Sequence, residues 1–480
     1  MNRQRLQRHC PGWVLLAGLL LVSAPGRAGD ESLPNLLRFV NPSGFAATFS
    51  SKGLIDLTGP FFQSLGSNGR SCVSCHQPGD GWTITPAHLQ QRFDSSDGTD
   101  PVFRTVDGSN APELDVSTVE ARRSAYSMLL TKGLIRVGRG IPAGAEFELA
   151  AVDDPYGHAS AQDLSLFRRP LPATNLDFLS TVMWDGRETF QDAASSNCVV
   201  GASNCFATIH FDLADQANGA TLGHAQGARP LSDEQQQAIV DFETSLSTAQ
   251  VYDFGAGPLA ARGASGGPVY LSAQNVYFGI NDTVAGDYRT GAPFNSIVFH
   301  LYDAWSRLHN DSGGGAQRRI RTAAREQIAR GQMLFNTRPI HIKDVKGLND
   351  DLAIADFVGT CTTCHNTPNV GDHSIPAPLD IGIADASRRT PDLPLYTLRN
   401  LQTNETIRTT DPGRALSTGK WKDIGRFKGP TLRGLAARAP YFHNGSAADL
   451  PAVIDFYNTR FGLNLTDQEK ADLVAFLQAL

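Results

Sequence analysis

The pentapeptide Cys72-Val-Ser-Cys75-His76 is matched later in the chain by Cys361-Thr-Thr-Cys364-His365. Two thiols about one helical turn apart can add to the two vinyl groups of one porphyrin, and the histidine that follows directly can then ligate the iron. A zinc site or a thioredoxin-like redox pair would explain a bare Cys-x-x-Cys, but neither explains a histidine after both pairs. The sequence therefore predicts two covalently bound c-type haems, attached through Cys72, Cys75, Cys361 and Cys364, with His76 and His365 as proximal iron ligands.

The composition around these motifs is that of a folded protein. The chain has 480 residues, of which 41% are hydrophobic and 19% charged, so disordered and collagen-like classes are excluded. The formal net charge of -6 argues against a nucleic-acid partner, which would need clustered Lys and Arg. The 46 Gly and 27 Pro indicate that much of the chain is loop.

The N-terminus has the pattern of a secretory signal peptide over residues 1–28. Arginines precede an apolar run from Trp13 to Val22, and small residues follow near Ala24 and Ala28. The run is shorter than the roughly 20 apolar residues of a membrane span, so no span is expected after cleavage. An uncleaved anchor is the alternative. Export to the periplasm is the prediction.

Six cysteines remain after that segment, and an even number fits an oxidising compartment. Four belong to the two motifs. Cys198 and Cys205 remain, and their spacing suits a disulfide that closes a short loop. Two free thiols are the alternative.

Helical signals accompany each motif. Thr466 and Glu469 form a capping box before an apolar face that ends at Leu480. Ser232 and Gln235 make a similar helix start, and residues 323–335 are typical of a helix leading into the second motif. These segments predict a mainly α fold with two cytochrome c-like haem domains.

The stretches Leu134–Val137 and Phe147–Val152 flank a glycine-containing segment and predict a small β-hairpin insertion. The expected domains are an N-terminal haem domain at 29–250, with an insertion at about 90–165, and a C-terminal haem domain at 316–480. Residues 251–315, rich in Gly, Ala and Ser, are expected to be an insertion or linker.

Three further segments resemble the bacterial di-haem cytochrome c peroxidases and their relative MauG. Residues 427–433 (FKGPTLR) and 439–445 (APYFHNG) are similar to the stretch after the second haem motif in that family, and 183–187 (MWDGR) is similar to the segment with a tryptophan between the haems. The resemblance implies that the haem of His76 binds peroxide, that of His365 transfers electrons, and Trp184 relays electrons between them. Two equivalent relay haems, and a purely structural Trp184, are the alternatives.

The resemblance also implies groups around the second haem. Tyr457 occupies the position of its sixth ligand, where the peroxidases usually have Met and MauG has Tyr; Met333 as ligand, or Tyr457 as a packed aromatic, are alternatives. Arg433 is expected to pair with a haem propionate. A calcium ion between the domains would use backbone oxygens of Arg438 and Pro440.

On the distal side of the first haem the sequence departs from the family. Gln216 matches the family glutamine, but Gln226 stands where an acid is expected, and an amide cannot act as a general base. His224 is the candidate replacement for proton transfer; it could also ligate the iron or lie in a surface loop. His88 is a second candidate for the sixth iron ligand.

Together these features predict a periplasmic di-haem oxidoreductase that reduces hydrogen peroxide with electrons from a small cytochrome or copper protein. One alternative is a MauG-like or oxygenase-like enzyme that oxidises a protein side chain or an organic substrate. Another is a non-catalytic electron carrier, with His88 or His224 closing the first iron. Family members are often dimers, and nothing in the sequence decides between a monomer and a homodimer.

Overall fold

The computed structural model describes residues 31–189, 205–310 and 315–480. The predicted signal peptide lies outside the described residues. Cys198 and the side chain of Cys205 also lie outside them, so the disulfide between these two residues stays a prediction.

The described residues form short strands and helices joined by long irregular segments. The strands are β1 (Ser32–Pro34), β2 (Arg38–Asn41), β3 (Gly44–Ser50), β4 (Leu54–Asp56), β5 (Ile135–Arg139), β6 (Phe147–Asp153), β7 (Leu164–Arg168), β8 (Leu246–Asp253), β9 (Gly257–Pro258), β10 (Ile340–Ile342), β11 (Phe357–Gly359), β12 (Leu395–Asn400) and β13 (Thr406–Thr409). The α-helices are α1 (Pro86–Ser96), α2 (Val119–Ala125), α3 (Ser127–Lys132), α4 (Cys205–Gly223), α5 (Asp233–Thr244), α6 (Pro268–Ser272), α7 (Ala316–Thr337), α8 (Asn349–Leu352), α9 (Ala415–Thr418), α10 (Leu450–Arg460) and α11 (Asp467–Gln478).

The prediction of a mainly α fold is wrong. The structure is 33% helical and 17% strand, which is a mixed composition. The strands are only two to eight residues long, and two of their pairings, β3 with β8 and β6 with β12, join segments far apart in the chain. Segments this short are too brief to show a clear alternation of apolar and polar residues, and their stability depends on the partner strand. They are therefore difficult to predict from the sequence.

The predicted β-hairpin is also wrong, although both of its segments are strands. β5 pairs with β7, from Ile135 opposite Arg168 to Arg139 opposite Leu164. β6 pairs with β12 of the C-terminal half, and β12 pairs in turn with β13. The segment predicted to be an insertion therefore contributes β6 to a three-stranded sheet whose other two strands lie in the C-terminal half.

A second sheet, in the order β2-β3-β8-β9, supports the first Cys-x-x-Cys-His motif. Thr48 on β3 and Thr248 on β8 bond through their hydroxyls at 2.9 Å, and the indole of Trp82 donates to the Thr48 hydroxyl at 2.9 Å. Trp82 is completely buried. The sheet thus fixes the loop that follows His76.

The three helices predicted from capping and periodicity are confirmed. α5 and α11 both begin with capping boxes, at Ser232 and Thr466, and α7 covers the segment expected to be helical before the second motif. α11 packs along α7 in the largest apolar cluster. Part of the predicted linker, including Phe299 and Trp305, is buried in that same cluster.

Candidate haem sites

The first motif forms a tight turn that leaves His76 with one free ring nitrogen. Cys72–Ser74 is one turn of 3-10 helix, and the backbone N–H of His76 donates to the Cys72 carbonyl at 3.0 Å. Nδ1 of His76 lies 3.0 Å from the Trp82 carbonyl oxygen. A carbonyl only accepts, so Nδ1 carries the hydrogen and Nε2 is left for a metal. Burial lowers the pKa of His76 to about 4, which keeps the ring neutral.

The second motif repeats this arrangement. Cys361–Thr363 forms the same turn, and the N–H of His365 donates to the Cys361 carbonyl at 3.3 Å. Nδ1 of His365 lies 2.6 Å from the carbonyl oxygen of Gly371. Burial lowers the pKa of His365 as well. Both histidines are therefore neutral and oriented by a backbone acceptor, as iron-ligating histidines usually are.

The four motif cysteines fit haem attachment better than a zinc or dithiol site. None of them is in a disulfide. Burial raises the pKa of Cys72, Cys361 and Cys364 to about 12, with a further contribution from Glu243 at Cys72. Such thiols stay protonated, whereas zinc binding and redox exchange need a thiolate. Thioether formation would remove these buried thiols altogether.

Each motif opens into its own cavity. The first contains about 1560 Å³ not filled by protein atoms and the second about 1750 Å³, and both are mainly apolar. The cysteines and the histidine of each motif lie in its wall, so both cavities fit a haem. Several residues line both cavities, among them Arg169, Trp184, Lys428 and Arg438.

Trp184 lies in this shared wall, where an electron relay is expected. Its indole N–H donates to the Arg169 carbonyl at 2.7 Å, and its ring centre is 6.3 Å from that of His443. His443 lines the second cavity and stacks on Phe427 at 4.0 Å. The structure thus places Trp184 between the two cavities; its electron-transfer role stays a prediction.

A buried ion-pair network, which the sequence did not indicate, fixes the segment that carries Trp184. Asp185 is completely buried, and one of its carboxylate oxygens lies 2.6 Å from the Arg168 guanidinium. Arg168 also donates to Asp411 at 2.7 and 2.9 Å. Although burial alone would raise it, the pKa of Asp185 is lowered by Arg168 and Arg187. The network joins β7 and the tryptophan segment to the C-terminal half.

Tyr457 on α10 lines the second cavity together with the second motif. Burial raises the pKa of its phenol, and the two motif cysteines add to that shift. Met333 is 58% exposed and is not among the residues that line this cavity. Of the two candidate ligands, the structure therefore brings Tyr457 to the cavity and leaves Met333 at the surface.

His224 lines the first cavity and belongs to a triad in which Asp107 and Arg70 are buried, while its own side chain is 40% exposed. Its Nδ1 makes a short hydrogen bond to the carboxylate of Asp107, and the Arg70 guanidinium pairs with the same carboxylate. Although burial alone would raise it, hydrogen bonds and charge from His224 and Arg70 lower the pKa of Asp107. Asp107 lies in the insertion, 117 residues before His224, so no local pattern could have linked them.

Of the other candidates for the distal side of the first haem, one lies at the first cavity and two do not. Gln216 on α4 lines the first cavity with His224. Gln226 is exposed at a turn with a φ of 54° and is not among the residues that line this cavity. His88 on α1 is also absent from that wall; its Nδ1 bonds to Asp80 at 3.0 Å, and its side chain is 44% exposed. The structure thus places Gln216 and His224 at the first cavity and Gln226 and His88 away from it.

Arg433 is buried but does not lie in the wall of either cavity. Its Nη1 donates to the Asn369 carbonyl at 3.2 Å, while Nε and Nη2 have no partner among the described residues. Burial lowers its pKa to about 10. Its pairing with a propionate stays a prediction.

The calcium site stays a prediction, and the surroundings of Arg438, one of its two expected residues, do not favour that ion. The Arg438 carbonyl already accepts a hydrogen bond from the Arg169 guanidinium at 3.0 Å. The Arg438 side chain is partly buried, and its guanidinium donates to backbone carbonyls rather than to a carboxylate. Asp80, the acid that interacts electrostatically with Arg169, is already hydrogen-bonded to Thr85 and His88. Two arginine charges without a free acid oppose a divalent cation.

In the described part of the chain, no helix combines the length and the apolar composition that a membrane crossing requires.

Comparison with known proteins gives a consistent set of curated relatives. The chain is 33% identical over 149 residues to cytochrome-c peroxidase IdrP1 of Pseudomonas sp. (strain SCT), a match that covers 27% of this chain and 38% of the relative. It is 35% identical over 132 residues to cytochrome-c peroxidase IdrP2 of Denitromonas iodatirespirans, covering 25% of this chain and 36% of the relative. The chain thus spans little more than a third of the length of these relatives. The predicted resemblance to cytochrome c peroxidases is confirmed.

No family model matches the chain. Among solved structures, a MauG-like protein associated with microbial copper homeostasis aligns with a TM-score of 0.33 at 17% identity, covering 88% of this chain and 87% of the other. A variant of the diheme peroxidase BthA from Burkholderia thailandensis aligns with a TM-score of 0.29 at 15% identity, covering 93% of this chain and 94% of the other.

Proposed function

We propose that this relative of the cytochrome-c peroxidases is a periplasmic oxidoreductase with two covalently attached c-type haems, which reduces hydrogen peroxide to water. The single observation that carries the proposal is the inequality of the two cavities. The first is lined by His224, Gln216 and Glu243. The second also contains histidines, His373 and His443, but its wall is more apolar overall and it brings the phenol of Tyr457 to the second motif. Division of labour between a reacting and a relaying site needs such a difference.

Haem iron, when bound at the two motifs, supplies the redox chemistry that cleaves peroxide and exchanges electrons. Reduction of one peroxide molecule takes up two electrons and two protons and releases two water molecules. The chain itself must therefore hold protons at the first cavity and provide a short path between the cavities.

His224 holds the proton in this proposal. Its Nδ1 is engaged by Asp107, so Nε2 is the ring atom left to accept or deliver a proton at the cavity. Arg70 holds Asp107 in place and also donates to the Pro101 and Val102 carbonyls. Gln216, whose side-chain amide can donate hydrogen bonds, would orient the bound oxygen atoms.

Trp184 provides the path between the sites. It lies in the wall that both cavities share, and both its indole N–H and the following Asp185 are anchored. A small periplasmic cytochrome or copper protein would supply the electrons. A fixed aromatic ring between two cofactor sites favours rapid transfer, because the path does not need to reorganise.

Tyr457 supports a second candidate function, a MauG-like or oxygenase-like oxidation of a protein side chain or an organic molecule. The phenol is in the second cavity, and Met333 is not. A hard oxygen ligand lowers a haem potential, which disfavours a simple peroxidase that receives electrons from a high-potential donor. The third function, a plain electron carrier, would depend on His224, because His88 is not among the residues that line the first cavity.

Resting and half-reduced holoprotein, titrated with peroxide in the presence of a reduced donor cytochrome, tests the proposal. Donor oxidation with two electrons consumed per peroxide, together with one high-spin ferric haem, is the expected result. Peroxide consumption without donor oxidation would favour the second candidate. Two six-coordinate haems and no peroxide consumption would leave only the electron carrier.

A further inference from the structure

Helices α5 and α11 are equivalent elements of the two halves of the chain. The segments 231–246 and 465–480 align without a gap, from Leu231 and Leu465 to Leu246 and Leu480. Both helices begin with a capping box. Phe242 of one and Phe476 of the other each pack on a phenylalanine, Phe61 or Phe335, whose ring in turn lies beside the motif histidine. A residue of one helix can therefore be compared with its counterpart in the other.

This comparison exposes one substitution on the cavity side. Leu477 of α11 lines the second cavity, and its counterpart in α5 is Glu243, which lines the first. Glu243 is 6% exposed, and its Oε2 has no hydrogen-bond partner among the described residues. The first cavity thus contains a buried carboxyl group where the second has an isobutyl group. An unpaired buried carboxylate is costly, so the position is not a neutral replacement.

The surroundings of Glu243 favour its neutral form. Burial is the only cause that raises its pKa, to about 8. The elements packed against α5 are the turns Pro60–Phe62 and Leu176–Phe178, α4 and β8. None of the other charged or titratable side chains described on these elements or on α5 contributes to the raised pKa of Glu243. They are Asp177, His210, Asp212, Asp215, Tyr252, Asp253, Asp233, Glu234 and Asp241. Within the first motif, Cys72 is the group that interacts electrostatically with Glu243, whose charge helps to raise the pKa of the Cys72 thiol.

We propose that Glu243 takes up a proton from solvent when the haem attached at Cys72 and Cys75 is reduced. One electron from a reductant converts ferric to ferrous iron, and one proton from water forms an O–H bond on the Glu243 carboxylate, so the charge of the cavity is unchanged. The positive charge of the ferric centre stabilises the ionised Glu243 carboxylate. Reduction removes that charge, and burial then favours the protonated carboxylic acid. The inference rests on the proposed haem attachment, and it places a stored proton beside the haem whose substrate consumes protons.

The test is a spectroelectrochemical titration of the holoprotein between about pH 6 and pH 9, with the second haem as internal reference. The first haem's potential should fall with rising pH, approaching about 59 mV per pH unit for one proton per electron. Glu243→Gln and Glu243→Leu should abolish that slope and leave the second haem unchanged. Leucine is the residue found at this position of α11, so Glu243→Leu matches a side chain that the equivalent helix tolerates.

Infrared difference spectra give an independent readout. Reduction should produce a protonated-carboxyl band in the wild type that both variants lack. A pH slope that persists in both variants would assign the proton to another group, such as a propionate, and would overturn the inference. A flat wild-type potential would overturn it as well. A holoprotein without haem at the first motif would instead contradict the proposed function, so the two failures are distinguishable.

Discussion

At the scale of single residues, the candidate chemistry depends on an imidazole held by a distant carboxylate. His224 replaces a missing acid in function only if Asp107 fixes its Nδ1, because a freely rotating ring would not present Nε2 to the cavity. Arg70, two residues before Cys72, ties that carboxylate to the motif itself. The triad therefore couples the proton-carrying group to the site of haem attachment.

Replacing His224 tests this role. His224→Ala should lower the kcat/KM for peroxide by about 100-fold or more, since a positioned acid–base group typically contributes at least that factor. Gln226→Ala, two residues further on at an exposed turn, should leave the kcat/KM unchanged. Steady-state donor oxidation measures both. Equal losses of kcat/KM in the two variants would show that substitutions in this loop disturb its structure, and would contradict a specific role for His224.

Asp185 is a residue whose loss should cost considerable stability, because it is a completely buried, ion-paired carboxylate. Asp185→Asn leaves Arg168 buried with half of its partners, and breaking a buried ion pair typically costs about 3–5 kcal/mol. Because the pKa of Asp185 is lowered in the folded protein, its contribution is full above the pKa of the unfolded chain and is lost as the pH falls towards the folded value.

Denaturant unfolding of the holoprotein measures the effect. The difference between wild type and Asp185→Asn should be large at pH 7 and shrink in acid. Asp455→Asn, which removes an exposed pair with Lys470, is the control and should change little. A pH-independent difference would mean that the asparagine acts through packing rather than charge.

At the scale of elements, the sheet of β6, β12 and β13 holds the insertion against the C-terminal half. Leu398 on β12 is completely buried in a cluster that includes Phe147 on β6. Leu398→Ala should lower the free energy of unfolding by about 2–5 kcal/mol. Leu401→Ala, at a side chain that is 55% exposed, is the matched control.

Unfolding followed by tryptophan fluorescence checks this, since Trp421 packs on the same cluster. A loss no larger than that of the control would mean that the strand pairing contributes little to holding the halves together.

Local signals explain which elements the sequence predicts. The helices α5 and α11 are specified by capping boxes within four residues, and both motifs are contiguous pentapeptides. The strands β5 and β6 are recognisable, but their partners lie in β7 and β12, and no short-range pattern specifies them. The same distance hides Asp107 and Asp411 from sequence analysis, because each meets its partner only after folding.

At the scale of the whole molecule, the two cavities meet at a wall that carries positive charge. Arg169, Lys428 and Arg438 all line both cavities, and burial is the first cause that lowers the pKa of each. Arg169 spans the junction, because its guanidinium donates to carbonyls of Lys132 and Arg438. Arg169 thus bonds to both halves of the chain at this wall.

This arrangement predicts insensitivity to chelators. Prolonged treatment of the holoprotein with a calcium chelator should leave its visible spectrum and its midpoint of thermal unfolding unchanged, because the charges of Arg169 and Arg438 beside that carbonyl oppose a divalent cation. A chelator-induced change in the spectrum that added calcium reverses would contradict the assignment. Metal analysis of the same sample gives the stoichiometry directly.

The central claim is that this chain carries two c-type haems in unlike surroundings. Protein matured in a host with a cytochrome c assembly system should give, in one pyridine haemochrome and iron determination, two covalently attached haems per chain. Electron paramagnetic resonance of the same ferric sample should show two distinct signals, one of them high-spin. A colourless product, or two identical low-spin centres that no ligand perturbs, would contradict the account.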